Sequence, residues 1–322
     1  MKRHVTLTAL AALVLIAAPS LLADIKTRER SSLKFEGMLG RFIGMMGAGG
    51  DSSATLALKG NRLSRMDAEM GQVIDLGAET IAQVDVKKKE YKVVTFAQMR
   101  EQMKKMREDM EKQRAQMKPE EKEQLEQAGK QIEFTADVKE TGERKNIAGH
   151  DTRQVILTIA GHEKGKTVDE AGGFELKNDM WIAAKIPAMD ELAQFYLKFA
   201  KSVYGDAFMG DMQKMAGAVA MFPSMQPMMQ KMQAERSKLQ GTALMTTTTF
   251  VTVRSPEQMK QAQQQQPTGG GLGGMLAKKM MGNKGQPQQR STVFTSISEY
   301  LSIDPSATDA DVAIPAGFKE KK

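Results

Sequence analysis

The chain has 322 residues, no cysteine and three histidines, with 46 basic against 39 acidic residues and a formal net charge of +7. That composition excludes thiol catalysis, thiolate metal sites and disulfide staples, and it leaves too few imidazoles for a histidine-built metal centre. The basic excess is mild, and runs such as Lys87-Lys88-Lys89-Glu90 mix acids with bases without interleaved aromatics, the pattern of a solvated surface rather than of a nucleic-acid groove.

Lys2 and Arg3 precede an apolar run from Ala9 to Ala18, Pro19-Ser20 break it, and Leu21-Leu22-Ala23 places a small residue at a cut site. This layout predicts a secretory signal peptide over 1–23, with the cut after Ala23 (Ser20 as the alternative). The run is too short for a lasting membrane anchor, and Asp24 stands where a lipid-anchored protein carries cysteine. The expectation is a periplasmic mature chain, 24–322, with no stable membrane anchor. Loss of Lys2 and Arg3 lowers its charge excess from seven to five.

From Leu33 onward, short segments of alternating or β-branched residues predict strands at Leu33–Met45, Thr55–Lys59, Arg62–Ala68, Gln72–Leu76, Thr80–Val86 and Tyr91–Thr95. Gly60-Asn61, Gly71 and Gly77 punctuate them as hairpin turns do, which predicts a curved antiparallel meander. Phe96 to about Gln116 then reads as a helix, with Met99, Met103, Met106, Met110 and Met117 on one face of a charged cylinder. Pro119 and Glu120-Glu121 open a second helix that Gly129 ends.

Further strands are expected at Ile132–Glu140, Arg144–Ile147, Arg153–Ala160 and Phe174–Ala184. After Pro187 a helix follows whose apolar stripe is Leu192, Phe195, Tyr196, Phe199 and Val203. Gly205 interrupts it, and a methionine-rich stretch runs to Met232. Gly241–Val253 and Ser291–Ile303 read as strands. Between them, the glutamine-, glycine- and proline-rich residues 255–290 cannot bury much apolar surface and read as a disordered insert, with a short helix at Leu276–Met281 as its one candidate element.

Several of these segments together carry a resemblance. They are Lys89-Glu90-Tyr91-Lys92-Val93-Val94-Thr95-Phe96 leading into a helix, the turn Ile147-Ala148-Gly149-His150, the strand Asp179-Met180-Trp181-Ile182-Ala183 running to Pro187, and the ending Ile314-Pro315-Ala316-Gly317-Phe318. The chain thereby resembles periplasmic proteins of the lipoprotein-carrier (LolA/LolB-like) superfamily. The resemblance implies an α+β fold: a curved antiparallel sheet, an incomplete barrel, covered by helices around an apolar cavity that in the characterised carriers holds acyl chains. It covers most of residues 33–254 and 291–319. The long methionine-rich segments and the insert depart from the pattern.

No Gly-x-Ser-x-Gly, phosphate loop or His-Glu-x-x-His occurs, and no carboxylate pair stands out, so a non-enzymatic protein without a cofactor is expected. A sheet face lined by Leu56, Leu58, Ile74, Leu76, Ile81 and Val84 under methionine-striped helices suits an apolar or lipid ligand, since flexible thioethers adapt to varied chains. The candidate lining is Met99, Met103, Met106, Met110, Trp181, Leu192, Phe195 and Phe199. The same pattern also fits a filled core, with the protein then acting through an envelope protein partner. Met225, Met228, Met229 and Met232, at one-turn spacing, form an alternative set of soft ligands for copper(I).

Overall fold

The computed structural model describes residues 24–37, 50–116, 118, 131–221, 223–264 and 288–321. The expected signal peptide, the 38–45 part of the first expected strand, the helix expected after Pro119 and the 265–287 part of the insert lie outside these residues. Twelve strands form one large, mostly antiparallel, unclosed sheet. The first six are β1 (Ile25–Phe35), β2 (Gly50–Lys59), β3 (Arg62–Met66), β4 (Met70–Asp75), β5 (Thr80–Asp85) and β6 (Glu90–Thr95), followed by helix α1 (Phe96–Gln116). Then come β7 (Ile132–Ile147), β8 (His150–Glu163), the short α2 (Val168–Ala171), β9 (Gly173–Ala183) and α3 (Pro187–Met221). Helix α4 (Gln226–Ala234), β10 (Thr242–Val253), α5 (Pro256–Gln264), β11 (Arg290–Asp304) and β12 (Lys319–Glu320) complete the set. Across the sheet the order is β12-β6-β5-β4-β3-β2-β1-β11-β10-β9-β8-β7. Only the β12–β6 pair is parallel.

The expected meander is present, and its turns repeat one design. The Asp75 carboxylate accepts from the backbone N–H of Ala78 and the Asp85 carboxylate from that of Lys88, both at 2.9 Å. The last residues of these turns, Glu79 and Lys89, take left-handed φ values of 52° and 54°. An aspartate that bonds the backbone three residues on mimics a backbone turn, which holds short strands in register. At the β7–β8 hairpin Ala148 and Gly149 both have positive φ, 48° and 84°, as a type I′ turn requires.

Three expectations are corrected. The first strand starts at Ile25 rather than Leu33, because its outward residues Lys26, Arg28 and Arg30 hide an inward series beginning with buried Ile25 and Thr27. The two strands expected around Glu140 and Arg144 are one, β7, with a register irregularity between those residues. Residues 256–264, expected within the disordered insert, are helical. Ser255 caps that helix: its Oγ accepts from the Gln258 N–H at 3.2 Å and its own N–H donates to Gln258 Oε1 at 2.9 Å. This reciprocal pair is a capping box. Thr95 and Gln98 form the same device at the start of α1.

Packing falls on both sides of the sheet. On one face, Ile25, Leu56, Leu58, Leu63, Ile74 and Ile81 pack against Phe96 of α1 and Leu192, Phe195 and Val203 of α3. The apolar positions of α3 recur every three or four residues, so one stripe meets the strands. Gly205, at φ 65°, breaks that helix two residues after Val203. A second cluster joins Val138, Val155, Leu157 and Ile182 to Met232 of α4 and Leu239 of the following 3-10 turn. On the opposite face the C-terminal segment lays Ala307 and Val312 on Ala57, tied by Lys26 to Asp311 at 2.6 Å.

Candidate functional site

The residues expected to line a cavity divide among three settings. Leu192 and Phe195 are fully inside the first core, Phe195 only 3% exposed, and Met99, Met103 and Phe199 pack against it. Phe199 meets the buried Phe96 ring edge-on at 5.4 Å, and Arg100 of α1 donates to the Ser202 carbonyl of α3 at 2.7 Å. These side chains fill a core. Met106 lies past the contact, 56% exposed, and the Met110 side chain lies outside the described residues. Trp181 stands elsewhere: its neighbours Met180 and Ile182 belong with the cluster under α4, so strand alternation turns the indole to the other face. There Lys145 Nζ sits 4.0 Å from the ring centroid. Val84 is buried as well, but its three-residue offset from Ile81 likewise sets it on the face away from α1 and α3.

Clefts at the rim of the first core are small. One of about 200 Å³ lies among Leu58, Leu76, Phe195 and Lys198, and another of about 260 Å³ among Val94, Gln98 and Glu101. Both are below the roughly 300–1,000 Å³ usual for small-molecule sites. A larger apolar surface lies elsewhere on the helix-bearing face.

That surface appears when the strand register is followed. Ile25 belongs to the first core, so alternation puts Thr27, Glu29, Ser31, Leu33 and Phe35 of β1 on the same face. Phe35 pairs with Phe294 of β11, and Phe294 with Phe250 of β10. The rings follow suit, with centroids 6.0 Å and 5.7 Å apart. Phe174 of β9 continues the row 5.7 Å from Phe250, and Phe134 of β7 lies 6.2 Å beyond. Strand β8 supplies Gly161 at this point, paired with both Phe174 and Phe134. A Cβ there would lie 2.5 Å from the Phe174 ring. Five half-buried phenylalanines thus form one row across the sheet, belonging to none of the buried apolar clusters, including the one that joins Ile147, Ala183, Ile186 and Leu244.

Between this row and the first core the face is polar. Ser31, Ser298 and Thr246 form one cross-strand row, and Leu33, Ser296, Thr248 and Asn178 the next. The Thr248 hydroxyl donates to Asn178 Oδ1 at 2.7 Å. Nearer the core, Arg65 Nε lies 3.8 Å from Glu29 Oε2. Burial pushes the Glu29 carboxyl up, against the opposing pull of Arg65 and a bond from Thr27. Burial first, then the nearby Glu29, pushes the Tyr196 phenol up and takes Tyr300 to about 12.

The alternative methionine set is split. Met232 packs into the second cluster, Met229 is exposed, and Met225 and Met228 are half-buried. The side chains of Met209, Met212, Met215 and Met221 lie outside the described residues. His162 is buried, with Nδ1 3.1 Å from the Glu163 carbonyl. Among the described residues no group of three or more His, Asp or Glu is arranged to hold a metal ion. No helix among them is long and apolar enough to cross a membrane.

The phenylalanine row escapes sequence reasoning because its members lie between positions 35 and 294 and meet only through the strand order. The usable signal was the small residue opposite them: Gly161 inside a strand marks a place where something approaches closely. No protein-family model and no curated protein matches the chain.

Proposed function

We propose that this protein is a non-enzymatic, periplasmic binder or carrier of an apolar, acyl-chain ligand, held on the helix-bearing face of a sheet that curves as an incomplete barrel. The observation that carries this reading is the row of five phenylalanines lying outside the closed cores. Aromatic rings set side by side in a row offer a long apolar contact surface at low entropic cost, because each has only two side-chain torsions to fix. A contiguous apolar strip outside the packed clusters of the described residues is the feature expected of an interaction site. The ligand surface is therefore the phenylalanine row, and Leu192, Phe195, Met99 and Met103 belong to the helix-packed core farther along the same face. Delivery to or from an envelope protein partner belongs to the same reading.

The test is titration of the mature chain from Asp24 with a fluorescent long-chain fatty acid, beside the Phe250→Ala/Phe294→Ala variant. Micromolar or tighter binding that weakens at least ~10-fold in a cooperatively folding variant is expected, since each truncated ring removes roughly 1.5–3 kcal/mol of apolar burial at most. Undiminished binding by the variant would remove the row from the site, and no binding by the wild type would refute the reading.

A further inference from the structure

The lane between the phenylalanine row and the Glu29–Arg65 pair is unlike the rest of the helix-bearing face. Where that face packs against helices, at the Ile25 end of β1, at Ile303 of β11, on β2–β5 and on β7–β9, its residues are mostly Leu, Ile, Val and Met. Farther along β1, β11 and β10 the same face instead presents Ser31, Ser298, Thr246, Ser296 and Thr248, with Leu33 the one apolar residue among them, brought side by side by the register. Ser298 is exposed and the others half-buried. Thr248 is satisfied by Asn178, whereas no hydrogen bond links the hydroxyls of Ser31, Ser296, Ser298 or Thr246 to other described residues. A sheet face meant only to pack does not carry a block of hydroxyls across three adjacent strands, because each would need a partner once covered.

We propose that this lane binds the uncharged ester head of the ligand whose acyl chain lies on the phenylalanine row, an inference that rests on the reading above. Hydroxyls donate to ester carbonyls and accept from glycerol-type hydroxyls. The border of the lane is electrically complementary to such a head. Arg65 is already set against Glu29, so the one cation at this border among the described residues is paired, and the Glu29 carboxylate repels a carboxylate or phosphate. The occupant is thus an acyl ester, and a free fatty acid in its ionised form fits less well.

The experiment compares 1-dodecanoylglycerol with dodecanoate at neutral pH, by calorimetric titration of the mature chain. The ester binds roughly tenfold more tightly, the value of one or two net hydrogen bonds. In Ser298→Ala/Thr246→Val that preference disappears, while Phe250→Ala/Phe294→Ala weakens both ligands. Equal affinities in the wild type, a preference for dodecanoate, or a preference that survives in the lane variant would overturn the ester head and leave the acyl-chain reading standing. If neither ligand binds the wild type, the acyl-chain reading itself falls and takes this inference with it. Should the lane variant fail to unfold cooperatively, Ser298→Ala alone, at the exposed position, serves in its place.

Discussion

The rings of Phe250 and Phe294 lie stacked on neighbouring strands, 5.7 Å apart with 15° between their planes. They are directly opposite in the β10–β11 register, so a double-mutant cycle can isolate their mutual contribution. Aromatic pairs of this kind are worth about 0.5–1.5 kcal/mol beyond area burial. Urea unfolding of Phe250→Ala, Phe294→Ala and the double variant is expected to give a coupling energy in that range. Strict additivity would show that the rings merely coincide.

Gly161 is expected to be intolerant of the smallest side chain. A Cβ at this position would stand 2.5 Å from two atoms of the Phe174 ring, too close for any contact, and overpacking of this kind costs about 1–3 kcal/mol. Gly161→Ala should lower the urea midpoint accordingly, and Phe174→Leu introduced beside it should recover part of the loss. A Gly161→Ala protein as stable as the wild type would mean that the row is not seated over this glycine.

Core and surface positions among the helix residues should separate cleanly. Phe195→Ala, at a fully buried site, is expected to cost about 3–5 kcal/mol. Met106→Glu, at an exposed one, should stay within about 0.5 kcal/mol of the wild type and leave ligand binding unchanged. Thermal melts of the two variants check both statements together.

The acid limb of stability should carry the signature of Asp311. Hydrogen bonds from Lys26 and from the Thr308 backbone and hydroxyl hold its carboxyl down at about 2, against about 3.9 in an unfolded chain. A carboxyl depressed by folding stabilises above its unfolded value, and that contribution is lost as the pH falls through its folded value. Asp311→Asn should therefore melt earlier than the wild type at neutral pH, with the gap closing between about pH 4 and pH 2. A gap that is constant through that window would contradict the role given to the ion pair that ties down the C-terminal segment.

Trp181 is the single tryptophan, and it lies on the face opposite the phenylalanine row, beneath Lys145. Its fluorescence should respond to Lys145→Met, which removes the cation from the ring, and should stay unchanged when ligand is added. A ligand-induced spectral shift would place the ligand on the wrong face for this account.

The β2–β6 meander was legible because its strands are short, alternate with period two and end at Gly or Asp turns, all of them local signals. The stripe from Leu192 to Val203 and the break at Gly205 were legible for the same reason. The site was not. Met99, Met103, Leu192 and Phe195 carry the periodicity of a buried face, and periodicity reads the same whether that face meets a cavity or a packed sheet. Phe35, Phe134, Phe174, Phe250 and Phe294 each read as an ordinary strand residue. They become a surface only because β11 and β10 insert between β1 and β9, a pairing that no local pattern encodes. The Ser255–Gln258 capping box was readable but was masked by the glutamine-rich composition around it.

Native mass spectrometry of the protein, purified gently from cells beside Phe250→Glu, tests the central claim most directly. The account predicts a co-purifying mass on the wild type that extracts into organic solvent as an acyl ester and is missing from the folded variant. A bare wild-type mass that also takes up no added 1-dodecanoylglycerol would contradict it.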